Sequence, residues 1–437
     1  MTYFEIAYRL LAQYESSGTY INLSLNSHIT DGLSKENKSV LTALLYKTVE
    51  KKLTYDYYIT AISKRSMDKI TPEARDALRL GICALLDMRS IPSHTAVNEA
   101  VKLVRRAGER SFVNGVLRAI DRERESLPLP DKNKNPRKYY SVYYSIPLAT
   151  VKYMISLLGE ESAVSFFEAV NSLERKITLT VNTQKISVDD FCGKLISQGY
   201  DARKSDYSDI SVCISGSHDP RSISGFSEGE FFVQDEASVL SALVLGADEG
   251  ELIIDTCSAP GGKSFALAVI SKEGADIRSF DLHKSKLSLI LSGAQRLGLK
   301  SVKAEVRDAT EPCEQLFSKA DAVLCDAPCS GLGVFSKKSD LRYKDITNLS
   351  ELSELQYRIL SQSSKYVKAG GRLVYSTCTL RREENEDIVE RFLSENPDFH
   401  AEDFSVSGLE SKDGRITLYP HVHNTDGFFI SKLRKKK

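Results

Sequence analysis

Leu252-Ile253-Ile254-Asp255-Thr256-Cys257-Ser258-Ala259-Pro260-Gly261-Gly262-Lys263 is the stretch on which the reading of this chain turns. A short β-prone apolar run ends in an acid, passes through small and turn-forming residues, and enters a helical segment from Ser264 to Ser271. Adjacent glycines let the backbone approach a ligand closely, and a helix start offers amide groups without intrahelical partners. The turn has neither the G-x-x-x-x-G-K-[ST] spacing of a P-loop nor the G-x-G-x-x-G of a dinucleotide fold. Alone, it fits a nucleotide, a phosphate or no ligand.

Similar apolar runs occur at 277–281, 302–306, 322–326, 372–375 and 428–433, with helical segments between most of them. This alternation predicts a parallel, doubly wound, Rossmann-like α/β domain over residues 234–437, with ligands at the carboxyl ends of its strands. The second run ends in Asp281, placed for two ribose hydroxyls, and the third near Asp308, where a carboxylate can take an adenine amino group. Either aspartate alone fits a turn or a helix cap. Acids at successive strand ends point instead to a nucleoside.

Upstream, apolar residues recur at helical spacing: Phe4, Ala7, Leu10, Leu11 and Tyr14; Val40, Ala43, Leu44, Tyr46 and Val49; then Ala74, Leu78, Ile82 and Leu85 behind Pro72. Residues 1–127 are therefore expected as an all-α bundle. Residues 128–139, rich in Pro, Asn and Lys, are expected as a linker. Residues 140–233 are expected as a small α+β subdomain, with a helix over 151–170 and a strand over 177–182.

At 437 residues, 41% hydrophobic and 27% charged, the chain reads as a multidomain globular protein. It has no apolar run near the roughly 18 residues of a membrane span. No basic leader precedes the first apolar positions, so a cytoplasmic protein is expected. A net charge of zero does not exclude nucleic acid, because distribution matters more than the sum. Lys102, Arg105, Arg106, Arg110 and Arg118 cluster, and the chain ends Lys432-Leu433-Arg434-Lys435-Lys436-Lys437. The eight cysteines form no C-x-x-C pair and no His-x-x-x-His accompanies them, so neither a metal nor a disulfide framework is expected.

Two cysteines stand out. The fourth run ends Leu324-Cys325-Asp326-Ala327-Pro328-Cys329-Ser330-Gly331, and the fifth ends Tyr375-Ser376-Thr377-Cys378-Thr379. Both fall at the carboxyl edge of the expected sheet, flanked by residues that leave a thiol accessible. Methylating carbon 5 of cytosine needs such a group. That carbon is a poor nucleophile until a thiolate adds to carbon 6, after which the 5-proton must be removed and the thiolate expelled. A donor at ring N3 would stabilise the adduct, and Asp326 is placed for it.

DTCSAPGGK, DAPCSG and YSTCT in this order resemble the Nop–Sun family of RNA cytosine-5 methyltransferases. FFVQDEAS (231–238), SELQYRIL (353–360) and TDGFFISKL (425–433) agree. The N-terminal bundle resembles a NusB-type RNA-binding domain through ALRLGICALL (77–86) and RSFVNGVLRAI (110–120). The resemblance implies S-adenosyl-L-methionine as cofactor, held by Cys257, Ser258, Ala259, Pro260, Gly261, Gly262, Lys263, Asp281, Asp308 and Asp326. It implies Cys378 as nucleophile, Cys329 as the cysteine that assists release, and Asp326 beside them. The two-part architecture is similar to bacterial enzymes that methylate one cytosine of small-subunit (16S) ribosomal RNA. An RNA partner and a monomer are thus expected, with no DNA or membrane partner. Two departures stand: Thr180 replaces a frequent arginine, and Tyr343 replaces a tryptophan, where it is still expected to stack.

Other readings are a transfer-RNA target, a DNA cytosine methyltransferase and a non-catalytic NusB-type factor. A DNA enzyme would use the Pro-Cys cysteine and lack Thr-Cys; a binding factor would need neither cysteine nor the cofactor turn.

Overall fold

A computed structural model of the chain describes residues 1–17, 32–172, 176–216 and 218–437. Contacts divide it into two units: Met1–Asn171 with Lys338–Ile346, and Ser172–Lys337 with Thr347–Lys437. Among the described residues no helix is long and apolar enough to cross a membrane.

The second unit holds two main sheets. The smaller is antiparallel, built from β1 (Lys176–Val181), β2 (Ala202–Lys204), β3 (Ser211–Ser215) and β4 (Phe231–Val233) in the order β2-β3-β1-β4. Thr180 on β1 is fully buried, its hydroxyl 3.3 Å from that of Ser211, so this position presents nothing to a ligand. Asn182 donates to the Leu297 carbonyl (2.9 Å) and Arg296 to those of Phe226 and Phe231, which ties the small sheet to the larger α/β part.

The larger sheet contains β5 (Leu252–Asp255), β6 (Asp276–Asp281), β7 (Val302–Val306), β8 (Ala320–Asp326) and β9 (Val367–Thr377). The chain continues through β10 (Phe399–Ala401), a small ladder of β11 (Ser405–Val406) and β12 (Leu409–Glu410), then β13 (Arg415–Leu418) and β14 (Phe428–Lys435). The order is β10-β14-β9-β8-β5-β6-β7, with β13 also pairing β14. From β7 to β9 every pairing is parallel. The strand order reverses at β5, flanked by β6 and β8, which is where such sheets bind ligands. The expectation of a wholly parallel sheet is corrected at the carboxyl end, where β14 runs antiparallel to β9, β10 and β13. Residues 419–427 between β13 and β14 are too few for the crossover that parallel neighbours need. Strand alternation feeds both faces: Ile253, Leu324 and Val374 join one core, and Ile254, Val323 and Leu373 the other.

The first unit is helical: Tyr3–Ser17, Lys35–Glu50, Lys52–Ser63, Pro72–Leu86, Ser93–Lys102, Ala107–Arg122, Pro136–Tyr143, Leu148–Leu158 and Glu160–Ser172. Caps match the sequence: Ser34 accepts from the Asn37 amide, and Thr71 from that of Ala74 with Pro72 in the first turn. Residues 136–139, expected as the end of a linker, begin the helix Pro136–Tyr143 because Asn135 caps the turn and Pro136 starts it. The single helix expected over 151–170 is two, broken at Gly159, whose φ of +77° no ordinary helical residue adopts.

Residues 338–346 belong to this helical unit although they lie between strands of the other. Arg342 is 1% exposed and donates to Asn171 Oδ1 at 2.9 Å. The Tyr343 hydroxyl donates to the Glu50 carbonyl at 3.0 Å, and Lys52 lies 4.5 Å from its ring centre. Tyr343 is thus packed into the bundle, correcting the expectation of a stacking face.

One cation organises the bundle's charges. Arg79, 4% exposed, makes a fork to Asp56 (2.7 and 2.8 Å) and bonds Asp76 at 3.2 Å, with Glu15 at 3.4 Å. Arg79→Met would leave these acids without their main partner, at a cost of about 3–5 kcal/mol. Burial already lifts Asp76 to about 6. A carboxyl raised in the folded state stabilises it below the unfolded pKa and loses that contribution as pH rises through the folded value. The variant's deficit should therefore be larger at pH 7 than at pH 5, as read from urea unfolding at both.

Candidate active site

The site is assembled where β5, β6, β8 and β9 end. After Asp255 the chain is pinned by its neighbours: the Thr256 amide and hydroxyl both donate to the Leu324 carbonyl (3.0 and 3.1 Å). The Ser258 amide and hydroxyl both donate to the Phe280 carbonyl, each at 2.8 Å. Gly261, at φ +112°, then opens the helix Gly262–Ile270. A side chain at Gly262 would lie 3.3 Å from the Gln234 amide carbon, and Gln234 Oε1 is buried without a hydrogen-bond partner. Asp255 bonds Ser264 (2.7 Å), and burial raises it to about 7. Burial also pushes the Cys257 thiol well up.

Asp281 and Asp308 stand at the two further strand ends. Asp281 is 8% exposed and accepts from the His283 amide at 2.9 Å. Asp308 is exposed and accepts from the amide (2.8 Å) and hydroxyl (2.7 Å) of Thr310, and these bonds hold its pKa below the usual carboxylate range. Among the described residues no group of three His, Cys, Asp or Glu side chains is placed to hold a metal ion.

The parallel register of β8 and β9 sets Asp326 opposite Ser376. The Ser376 hydroxyl donates to Asp326 Oδ1 (2.8 Å), and Lys263 donates to Oδ2 (2.6 Å). Burial pulls the Lys263 ammonium down, but the Asp326 carboxylate and lesser neighbours outweigh it, and its pKa ends above the ordinary value. Just beyond these strand ends, the sulfurs of Cys329 and Cys378 lie 3.1 Å apart, both half-buried. The hydrogen bond shared with Cys378 is the main influence that pushes the Cys329 thiol well up; burial and the charges of Cys378 and Glu384 add to it. Cys83, Cys192, Cys213 and Cys325 are buried packing residues.

Sequence reasoning missed the residues that hold these two loops. Glu384 is fully buried: Oε2 accepts from the Ser330 amide (2.9 Å) and Gln356 Nε2 (2.9 Å), and Oε1 from the Ser330 hydroxyl (2.5 Å). Gln356 Nε2 also reaches the Pro328 carbonyl. Asn385 accepts from the Thr377 hydroxyl (2.5 Å) and donates to the Thr379 carbonyl (2.9 Å). Arg381-Arg382-Glu383-Glu384-Asn385-Glu386-Asp387 reads as a solvated, charged helix start. Only the asparagine in its middle hinted otherwise.

The model of the 16S rRNA methyltransferase RsmB/F family matches residues 242–434, and that of the NusB family matches residues 4–122. A relative in Bacillus subtilis (strain 168), "Probable ribosomal RNA small subunit methyltransferase B", is 36% identical over 99% of this chain and 98% of its own length. The chain belongs to the RsmB/F methyltransferase family. An RsmB relative in Synechocystis, of the same name, is 30% identical over 99% of each chain. The crystal structure of PH0851 agrees over 100% of this chain and 99% of that one, with a TM-score of 0.83 and 28% identity. The RsmB/F match spans β5 to β14, and so includes the glycine turn and both cysteine loops.

A Cβ at Gly261 would sit 2.5 Å from the Phe265 ring and require the same positive φ. Gly261→Ala should therefore destabilise the fold by about 1–3 kcal/mol. Displacing the turn should also cut methyl transfer roughly tenfold or more. Thermal unfolding and a radiolabelled methyl-transfer assay on one preparation read both.

Proposed function

We propose that this RsmB/F enzyme methylates carbon 5 of a cytosine in small-subunit ribosomal RNA, using S-adenosyl-L-methionine, through a covalent bond from Cys378 to carbon 6. The observation that carries the reading is the pair of thiols 3.1 Å apart beside the glycine turn. A single-displacement methyl transfer needs no such pair. The relatives' printed names support a ribosomal RNA target.

The residues fit the cofactor. Gly261 and Gly262 leave a cradle that a Cβ would fill, and Gln234 Oε1 beside it lacks a partner. Residues 257–263, Asp281, Asp308 and Asp326 would hold the group, whose chemistry when bound is an activated methyl on a sulfonium. Exposed Arg105 and Arg106 in the NusB part, with Lys102 nearby, suit phosphates and make residues 1–127 the proposed RNA-holding region.

The protein's own groups then divide the work. Cys378, as thiolate, bonds carbon 6, while Cys329 gives its proton toward ring N3. Asp326, expected as a donor to N3, is paired as a carboxylate with Lys263, so in this scheme it accepts the hydrogen bond of the protonated N3 instead. With Cys378 now a neutral thioether, the main influence holding the proton on Cys329 is gone. Carbon 5 takes the methyl group, which leaves the ring cationic; Cys329 as thiolate then takes the 5-proton, Cys378 leaves as thiolate as the 5,6 double bond re-forms, and the N3 proton passes to water.

Cys378→Ala should abolish methyl transfer while cofactor affinity stays within about threefold. Cys329→Ala should form the adduct without resolving it, giving a protein–RNA band on a denaturing gel that needs both cofactor and Cys378. RNA trapped by Cys378→Ala instead would reverse the roles. A paired base cannot offer carbon 6 to a thiol, so loop cytosines should react faster than the same cytosine locked in a duplex. Equal initial rates on the two would exclude this mechanism.

A further inference from the structure

Glu384 presents a physical problem. It is a fully buried carboxylate, and its nearest cation, Arg381 Nε, is 4.0 Å from Oε1. Three hydrogen bonds from Ser330 and Gln356 satisfy it, but taking a charge out of water still costs several kcal/mol. A neutral amide could hold a loop more cheaply, as Asn385 does one residue later for the Thr377–Thr379 loop. The charge itself therefore calls for a role beyond tethering.

Its surroundings supply one. Glu384 bonds the amide of Ser330, one peptide from Cys329. The Ser330 hydroxyl, bonded to Glu384, is also 2.8 Å from that of Thr379, the residue after Cys378. On the other side of the pair, Lys263 is within electrostatic reach of Cys378. The charges that act most on Cys329 are those of Cys378, Glu384 and Asp326, with the Tyr375 hydroxyl also near. Of the two carboxylates, Asp326 is paired directly with Lys263, whereas the cation nearest Glu384 is Arg381, at 4.0 Å. The two sulfurs touch, and the buried carboxylate that is not directly paired with a lysine, Glu384, is bonded to the peptide that follows Cys329.

We propose that Glu384 is a positioning residue that sets the Cys329 loop and, by its negative charge, makes Cys329 the proton-carrying thiol of the pair while ionisation falls to Cys378. This rests on the cysteine reading above and adds what makes two adjacent thiols unequal. The same field makes Cys329, once it has given its proton away, the stronger base for the 5-proton. Asn385 fixes the partner loop without charge. Consecutive residues thus hold the two cysteines, one by charge and hydrogen bonds, the other by hydrogen bonds alone.

The test reads the ionisation of Cys329 directly, without RNA or cofactor, in full-length Cys378→Ala protein. Iodoacetamide labelling of Cys329, located by mass spectrometry, is followed against pH. Even with Cys378 gone, the midpoint should stay above the roughly 8.5 of a free cysteine. A midpoint at or below that value overturns the proposal, and this arm needs no change at Glu384. Adding Glu384→Gln should lower the midpoint by about one pH unit and speed labelling at pH 8 about tenfold. An unmoved midpoint in that folded variant would leave Glu384 as a tether only and also overturns the proposal. With Cys378 restored, Glu384→Gln should accumulate the RNA adduct at unchanged cofactor affinity, and Glu384→Asp should relieve it. If wild type forms no cytosine adduct yet the Cys329 midpoint moves as stated, the cytosine mechanism fails while the effect of Glu384 on Cys329 stands.

Discussion

Everything at the site depends on the parallel pairing of β8 with β9. Parallel neighbours end on the same edge of a sheet, so residues just past each end meet without further design. Asp326 opposite Ser376 fixes the level, and Cys329 and Cys378 follow within three residues of it. A slip of one residue would turn Val323, Leu324, Leu373 and Val374 to the wrong faces, and each is fully buried on its own side. The hydrophobic alternation of two strands is thus what sets a sulfur–sulfur distance.

On that frame the chain arranges opposite charges with little solvent between them. Lys263 and Asp326 pair directly, so each lowers the other's cost of burial. Glu384 has its nearest cation, Arg381, at 4.0 Å and is held chiefly by Ser330 and Gln356. The Lys263–Asp326 pair is the tighter of the two ion pairs. With Glu384 tied to the Ser330 amide and Asn385 to the Thr379 carbonyl, one sheet edge holds two chemically identical side chains in different environments, as the proposed two-step covalent reaction requires.

The parts legible in the sequence were those written in local spacing. The glycine turn, the acids at strand ends and the two cysteine loops lie within a few residues of an apolar β run, and the structure brings them to one edge. The helical character of the region before residue 122 was legible from its apolar stripes and from Pro72 at a helix start. What failed to show depended on distant partners. Glu384 and Asn385 sit in a run of charges whose burial comes from loops at 328–330 and 377–379. The antiparallel direction of β14 depends on which strand it inserts beside, which its own apolar pattern does not encode. Gly159 lay within an apolar helical pattern, and a lone glycine there is compatible with either a continuous helix or a break.

The segment around Tyr343 extends this reasoning to the division of the molecule. From Cys329 the chain runs past Gly333, whose amide donates to the Cys378 carbonyl at 3.0 Å and whose carbonyl accepts from the Gly427 amide at 2.8 Å. It reaches Lys337, which pairs with Asp235 and with Asp426 (2.9 Å), and only then enters the helical unit at Lys338. There Arg342 and Tyr343 are held by Asn171, Glu50 and Ser145. The loop that carries Cys329 thus runs nine residues before the chain enters the helical unit at Lys338. Its near end is fixed by Glu384, its middle by the Cys378 loop, and its exit by two aspartates around one lysine. A loop with both ends and its middle fixed has little conformational entropy left to lose when substrate arrives. On this argument Glu384, the Cys378 loop and the Lys337 ion pairs together order the Cys329 loop before substrate arrives.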